Sequence, residues 1–151
     1  MKYFKGDLLG AFKCGEVQDI LHQVNCQGVM GAGIAKQIRK MCPKHYEGYK
    51  DHIEYYEGLV LGTTIVTYSS EFDGYVYGLF GQENYGRDGK RHTNYAALIS
   101  ALEYCGFYNK SRIGVPKYMG CGLAGGDWDI VETLLKDFEE LNNVEFWVYE
   151  L

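Results

Sequence analysis

Twice in this chain an apolar β-type run gives way to a cluster of glycines that leads straight into a helix-type run. The first is HQVNCQGVMGAGIAKQ, His22 to Gln37, with Gly28, Gly31 and Gly33 following the run DILHQVN. The second is GCGLAGGDW, Gly120 to Trp128, following RIGVP. Such segments are too small and flexible to be core and too apolar to be linkers. Glycine lets the backbone come close to another group with no side chain between. A helix that starts immediately afterwards presents N–H groups without intrahelical partners, and these attract anions. Ligands of α/β sheets bind outside the carboxyl ends of strands, where both clusters fall. The plainer alternative is that the glycines only permit turns and close helix–strand packing. Two clusters of the same sense, strand to glycines to helix, favour a shared anionic ligand. Neither matches a familiar phosphate motif: Ile34 stands where a P-loop needs lysine, and Lys36 where a dinucleotide fingerprint needs its third glycine.

The rest of the chain alternates in the same way. KYFKG, TTIVTY, YVYGLF and VEFWVYEL are rich in β-branched and aromatic residues and read as strands. Ile34, Ile38 and Met41 recur at helical spacing, and Pro43 opens a second amphipathic segment, PKHYEGYKDHIEYY. Thr93 and Asn94 supply a cap before YAALISALEYC. DWDIVETLLKDFEEL is the strongest helix, with Ile130, Leu134, Leu135, Phe138 and Leu141 assigned to its apolar face. Strands interleaved with helices predict an α/β sheet covered on both faces. With no repeat, low-complexity tract or linker, residues 1–151 are expected to form a single domain.

Composition narrows the function classes. The net charge of -5 argues against duplex DNA or an anionic membrane as the main partner. It leaves room for a small anionic ligand held by backbone N–H groups. The five cysteines, Cys14, Cys26, Cys42, Cys105 and Cys121, are odd in number and widely spaced, which disfavours a disulfide framework or a zinc ribbon. No metal and no cofactor is expected. The start MKYFKGDLLG has no apolar signal region, so a reducing cytoplasmic setting is expected.

GDLLG near the start, VNCQGVMGAGIA and GCGLAGGDW, in that order and at those distances, resemble the macrodomain family of ADP-ribose-binding proteins. The resemblance spans essentially the whole chain and is nearest to small stand-alone members, the ADP-ribose 1″-phosphate phosphatases and the terminal ADP-ribose protein glycohydrolases. It implies a three-layer α/β/α sandwich around a mixed, mostly parallel sheet. It also implies a small-molecule ADP-ribose derivative as partner. Asp7 would accept from the adenine amino group, with Leu8 beside it. Asn25 would sit near the distal ribose. Gly31, Ala32, Gly33 and Ile34 would wrap that ribose and a phosphate, and Gly120, Cys121, Gly122 and Leu123 would close over the diphosphate. Tyr149 would help hold the adenosine, or simply edge a strand.

The chemistry implied depends on two departures. The glycohydrolase type has a lysine nucleophile after the strand matching YVYGLFG, and Gln82 stands there. It has an acid directly after GCGL, and Ala124 stands there. An amide is no nucleophile of that kind. The phosphatase type is the nearer match and implies His22 and Asp127 as an acid–base pair, since imidazole titrates near neutrality. From the residues alone, His22 in its apolar strand reads equally as a core histidine. Asp127 before Trp128 reads equally as a helix cap. Removal of ADP-ribose from a modified protein or nucleic acid, or binding without turnover, are the alternative functions.

Overall fold

A computed structural model describes residues 1–151. Six strands, β1 (Lys2–Lys5), β2 (Asp19–Asn25), β3 (Thr64–Ser69), β4 (Gly74–Gln82), β5 (Ile113–Pro116) and β6 (Phe146–Glu150), form one sheet in the order β1-β6-β5-β2-β4-β3. All neighbours are parallel except β3 and β4, which pair antiparallel. Five helices cover it: α1 (Leu8–Lys13), α2 (Gly33–Met41), α3 (Pro43–Tyr55), α4 (Tyr95–Cys105) and α5 (Trp128–Asn142).

The layering follows from side-chain alternation along the central strands. Leu21, Tyr77, Leu79, Val115 and Val148 point to one face and are buried with Leu98, Leu102, Val131 and Leu135 of α4 and α5. Ile20, Val24, Val76 and Phe80 point to the other and meet α1, α2 and α3 through Phe12, Ile38 and Tyr49. Because both faces are covered, β2 and β4 are buried almost throughout, as parallel interior strands are. This is the expected mixed, mostly parallel α/β/α sandwich. No helix is long and apolar enough to cross a membrane.

The fold adds one element and corrects one expectation. LLGAFK forms a helix, α1, that its six residues are too few to announce by periodicity; Asp7 caps it, accepting from the N–H groups of Leu9 and Gly10 at 3.3 and 3.1 Å. The inward face of α5 is centred on Val131 and Leu135, with Leu134 and Phe138 partly buried against the same core, while Ile130 and Leu141 are exposed. Residues 131, 135 and 138 keep the i, i+4, i+7 repeat of one stripe, which 130 and 141 leave. Tyr149 is buried, with its ring stacked on Phe4 and its hydroxyl donating to Glu16 at 2.7 Å.

Candidate functional site

The first glycine cluster is held from below. At the end of β2 the register against β4 shifts between Val24 and Asn25, bringing Asn25 opposite Gln82. The Asn25 carbonyl oxygen Oδ1 accepts from the Gln27 N–H at 2.9 Å and its amide donates to the Val29 carbonyl at 2.9 Å. Tyr49, fully buried on α3, places its hydroxyl within 2.7 Å of the Asn25 main-chain carbonyl and 2.8 Å of Oδ1, and accepts from the N–H groups of Gly28 and Val29 at 3.1 Å each. One phenol thus fixes the turn. Tyr49→Phe leaves the Gly28 and Val29 N–H groups without an acceptor, a loss of about 1–3 kcal/mol. A urea denaturation midpoint equal to wild type would contradict this expectation.

Beyond the turn, Ala32 caps α2 without a side-chain bond, and the first intrahelical bond recorded there runs from Lys36 to the Ala32 carbonyl. The N–H groups of Gly33, Ile34 and Ala35 are therefore free, as the first turn of any helix leaves them.

The second cluster is anchored by a residue that the sequence reading missed. Gln23 projects from β2 toward the α4–α5 side. Its amide donates to Gln82 Oε1 at 2.8 Å and to Thr93 Oγ1 at 2.9 Å. The Gln82 amide donates in turn to the Asn84 carbonyl, and the Thr93 hydroxyl to the Gly120 carbonyl. Room for Gln23 exists only because two neighbours lack side chains: a Cβ on Gly81 or Gly120 would lie 2.6 or 2.7 Å from its Oε1. The one available signal was a polar residue between His22 and Val24, inside a strand. The Gly126 N–H returns to the Gly120 carbonyl at 2.9 Å, and the Ala124 carbonyl accepts from the N–H groups of His92 and Thr93. Within this frame the N–H groups of Gly122, Leu123 and Ala124 donate to no protein atom.

The two clusters face one cavity of about 650 Å³, a size suited to a nucleotide-like ligand. Of the residues singled out in the sequence, His22, Asn25, Gly31, Ala32, Gly33, Ile34, Gln82, Gly120, Gly122, Leu123 and Ala124 line it. Asp7, Leu8, Cys121 and Asp127 do not. Asp7 is engaged as the α1 cap, and Leu8 is buried in the core. The Cys121 thiol turns to the Met119 carbonyl. Asp127 caps α5, with Oδ1 accepting from the Asp129 N–H at 2.9 Å. His22 and Asp127 are therefore not gathered around one point of the cavity. No carboxylate lines it.

His22 forms part of the floor and is fully buried. Its Nε2 lies 2.9 Å from Nε2 of His45, also fully buried, and His45 Nδ1 lies 2.9 Å from Thr67 Oγ1. Burial away from water, and the neighbouring His45, hold the His22 ring well below its ordinary pKa. Burial alone brings His45 down to about 3. Both rings are neutral at pH 7. In one consistent tautomer set His22 donates to His45 and His45 to Thr67, leaving His22 Nδ1, which has no protein partner, as an acceptor.

Taken together, sheet, cavity and paired donor loops define an α/β protein whose free backbone N–H groups flank one cavity at the carboxyl ends of its central strands. The chain belongs to the Macro domain family, whose model matches residues 21–135. It is 31% identical over 144 residues to a 17.5 kDa protein from the tk-vs intergenic region of Enterobacteria phage T4, covering 91% of this chain and 89% of that one. It is 29% identical over 177 residues to the ADP-ribose 1″-phosphate phosphatase of Scheffersomyces stipitis, covering 99% of this chain and 98% of that one. It is 28% identical over 150 residues to the DNA ADP-ribosyl glycohydrolase of Mycobacterium tuberculosis, covering 97% of this chain but only 41% of that one. The solved macrodomain of Mycobacterium tuberculosis DarG superposes with a TM-score of 0.80 at 25% identity, covering 99% of this chain and 97% of that one.

Proposed function

We propose that the cavity binds ADP-ribose derivatives and that the protein hydrolyses ADP-ribose 1″-phosphate to ADP-ribose and phosphate. The observation that carries this reading is the pair of opposed N–H runs, Gly33–Ala35 and Gly122–Ala124, on one cavity without a carboxylate. Six fixed donors with no competing negative charge suit a diphosphate and a phosphoryl group. They also stabilise charge that builds on phosphoryl oxygens during transfer. The name carried by the Scheffersomyces stipitis relative, matched along nearly its whole length, points the same way. Gln82, with both amide ends hydrogen-bonded, supplies no nucleophile.

In this reading water attacks phosphorus and the bond between phosphorus and the ribose oxygen breaks. His22 Nδ1, buried and without a protein partner, accepts the water proton once that water enters beneath the floor, and the leaving oxygen takes it up. The Asp127 carboxylate serves the α5 cap. The test is phosphate release from ADP-ribose 1″-phosphate by wild type, His22→Ala and Asp127→Asn. The expected result is turnover in wild type, a loss of about a hundredfold or more in His22→Ala, and near-normal turnover in Asp127→Asn, since asparagine caps helices as well as aspartate. Absence of release by wild type sinks the reading. Equal loss in both variants would return Asp127 to the reaction.

A second reading, removal of ADP-ribose from modified DNA by water, is favoured by the similarity to the mycobacterial glycohydrolase and its macrodomain. Release of ADP-ribose from ADP-ribosylated DNA, with no phosphate released from the monoester, would select it.

A further inference from the structure

Two cationic side chains line the cavity, Arg87 and Lys117. Lys117 is committed to the protein: its Nζ lies 2.7 Å from Glu150 Oε2. Arg87 is not. It is exposed and makes no hydrogen bond, ion pair or aromatic contact with another residue, in a segment that also brings Tyr85 and Gly86 to the cavity. Its nearest acidic neighbour in sequence, Asp88, bonds to His92 Nε2 at 2.9 Å and to the Lys90 N–H at 3.0 Å instead.

The position of Arg87 follows from the sheet order. Lys117 stands just past β5 and Arg87 past β4, with β2 between. Two inter-strand steps separate those strand ends by about 10 Å, and the two cations reach the cavity on the different loops that follow them. The N–H runs come from the loops after β2 and β5 and place a diphosphate between these ends. The β5 end is apolar and aromatic, with Pro116, Tyr118, Met119 and Leu123. It suits the flat face of an adenine. The β2–β4 side carries the polar Asn25 and Gln82, and the free guanidinium enters on the loop that follows β4. That side suits a sugar and a further anion.

We propose that Arg87 recognises the terminal phosphate on the distal ribose and so makes the cavity prefer a 1″-phosphorylated ligand over ADP-ribose itself. This rests on the ADP-ribose reading above. A guanidinium matches phosphate oxygens with two parallel N–H bonds, a geometry that lysine lacks. Release of the phosphate removes its partner, so the same residue holds substrate and lets product go.

The experiment compares wild type, Arg87→Gln and Arg87→Lys against two ligands. Calorimetry gives the Kd for ADP-ribose, and steady-state kinetics the KM for ADP-ribose 1″-phosphate. Arg87→Gln is expected to raise that KM by about tenfold to a hundredfold. Its Kd for ADP-ribose should stay within about a factor of two, the scatter of a neutral surface change. Arg87→Lys should fall between. If both ligands weaken together, Arg87 serves the diphosphate and the proposal is overturned. If neither weakens, the side chain is merely solvated and the proposal is equally overturned. Should wild type release no phosphate, calorimetry with both ligands still decides. Tighter binding of the monoester that Arg87→Gln abolishes sustains the assignment although the phosphatase reading has failed. Equal binding of the two ligands by wild type sinks it.

Discussion

Gly120→Ala is expected to abolish ADP-ribose binding in the micromolar range while leaving the sheet intact. Gly120 sits at φ +75°, where an L side chain is strained by about 1–3 kcal/mol. The added methyl would also lie 2.7 Å from Gln23 Oε1 and 3.0 Å from Thr93 Oγ1. Neither atom can retreat freely, because Gln23 is tied to Gln82 and Thr93, and Thr93 to Gly120 itself. The loop must therefore move, and the N–H groups of Gly122, Leu123 and Ala124 move with it. Losing two charge-assisted bonds at about 1.5–3 kcal/mol each weakens binding by a hundredfold or more. Calorimetry with ADP-ribose, paired with circular dichroism to show a retained fold, checks this. Wild-type affinity would show that the second loop does not hold the ligand.

Acid is expected to weaken the fold from about pH 6.5 downward, well above the range in which carboxylates titrate. The sign follows from the histidine pair. His22 and His45 are held neutral in the fold, both chiefly by burial, with His45 brought to about 3. In the unfolded chain each takes a proton near pH 6.5, so between that value and the folded pKa the unfolded state binds more protons. Stability is then full above pH 6.5 and falls with pH at up to about 1.4 kcal/mol per unit for each histidine. His45→Gln keeps an acceptor for the His22 Nε2–H but removes one titration, so it should reduce the slope between pH 6.5 and 5 by up to about 1.4 kcal/mol per unit. Urea unfolding across that range reads it directly. A flat wild-type profile would mean that the pair is not buried as a neutral dyad in solution.

The elements were largely legible because their signals are local. β2 was readable as DILHQVN, and Asn94 and Asp127 occupy the cap positions that their side chains favour. The glycine clusters were legible as donor loops because strand, glycine and helix start are contiguous in the chain. Gln23 was not legible as an anchor, because its partners Gln82 and Thr93 lie far away in sequence and meet it only through sheet order. Nor was the fate of His22. A histidine in an apolar strand looks the same whether it faces a ligand or another histidine, and His45 reaches it from α3. Asp127 looked like both a cap and an acid, and its distance from the cavity is a property of how α5 packs.

By itself the sequence determined the alternation of strands and helices, the two places where backbone N–H groups are left free, and a net charge of -5 that argues against duplex DNA or an anionic membrane as the main partner. Those are consequences of spacing, glycine and composition, which act along the chain. Tertiary structure alone decided which free donors share a cavity, that no carboxylate enters it, that His22 is paired and neutral, and that Arg87 is the cation left unpaired at its edge. Those depend on distances between residues far apart in sequence, which are set only when the sheet orders its strands and the helices close over it.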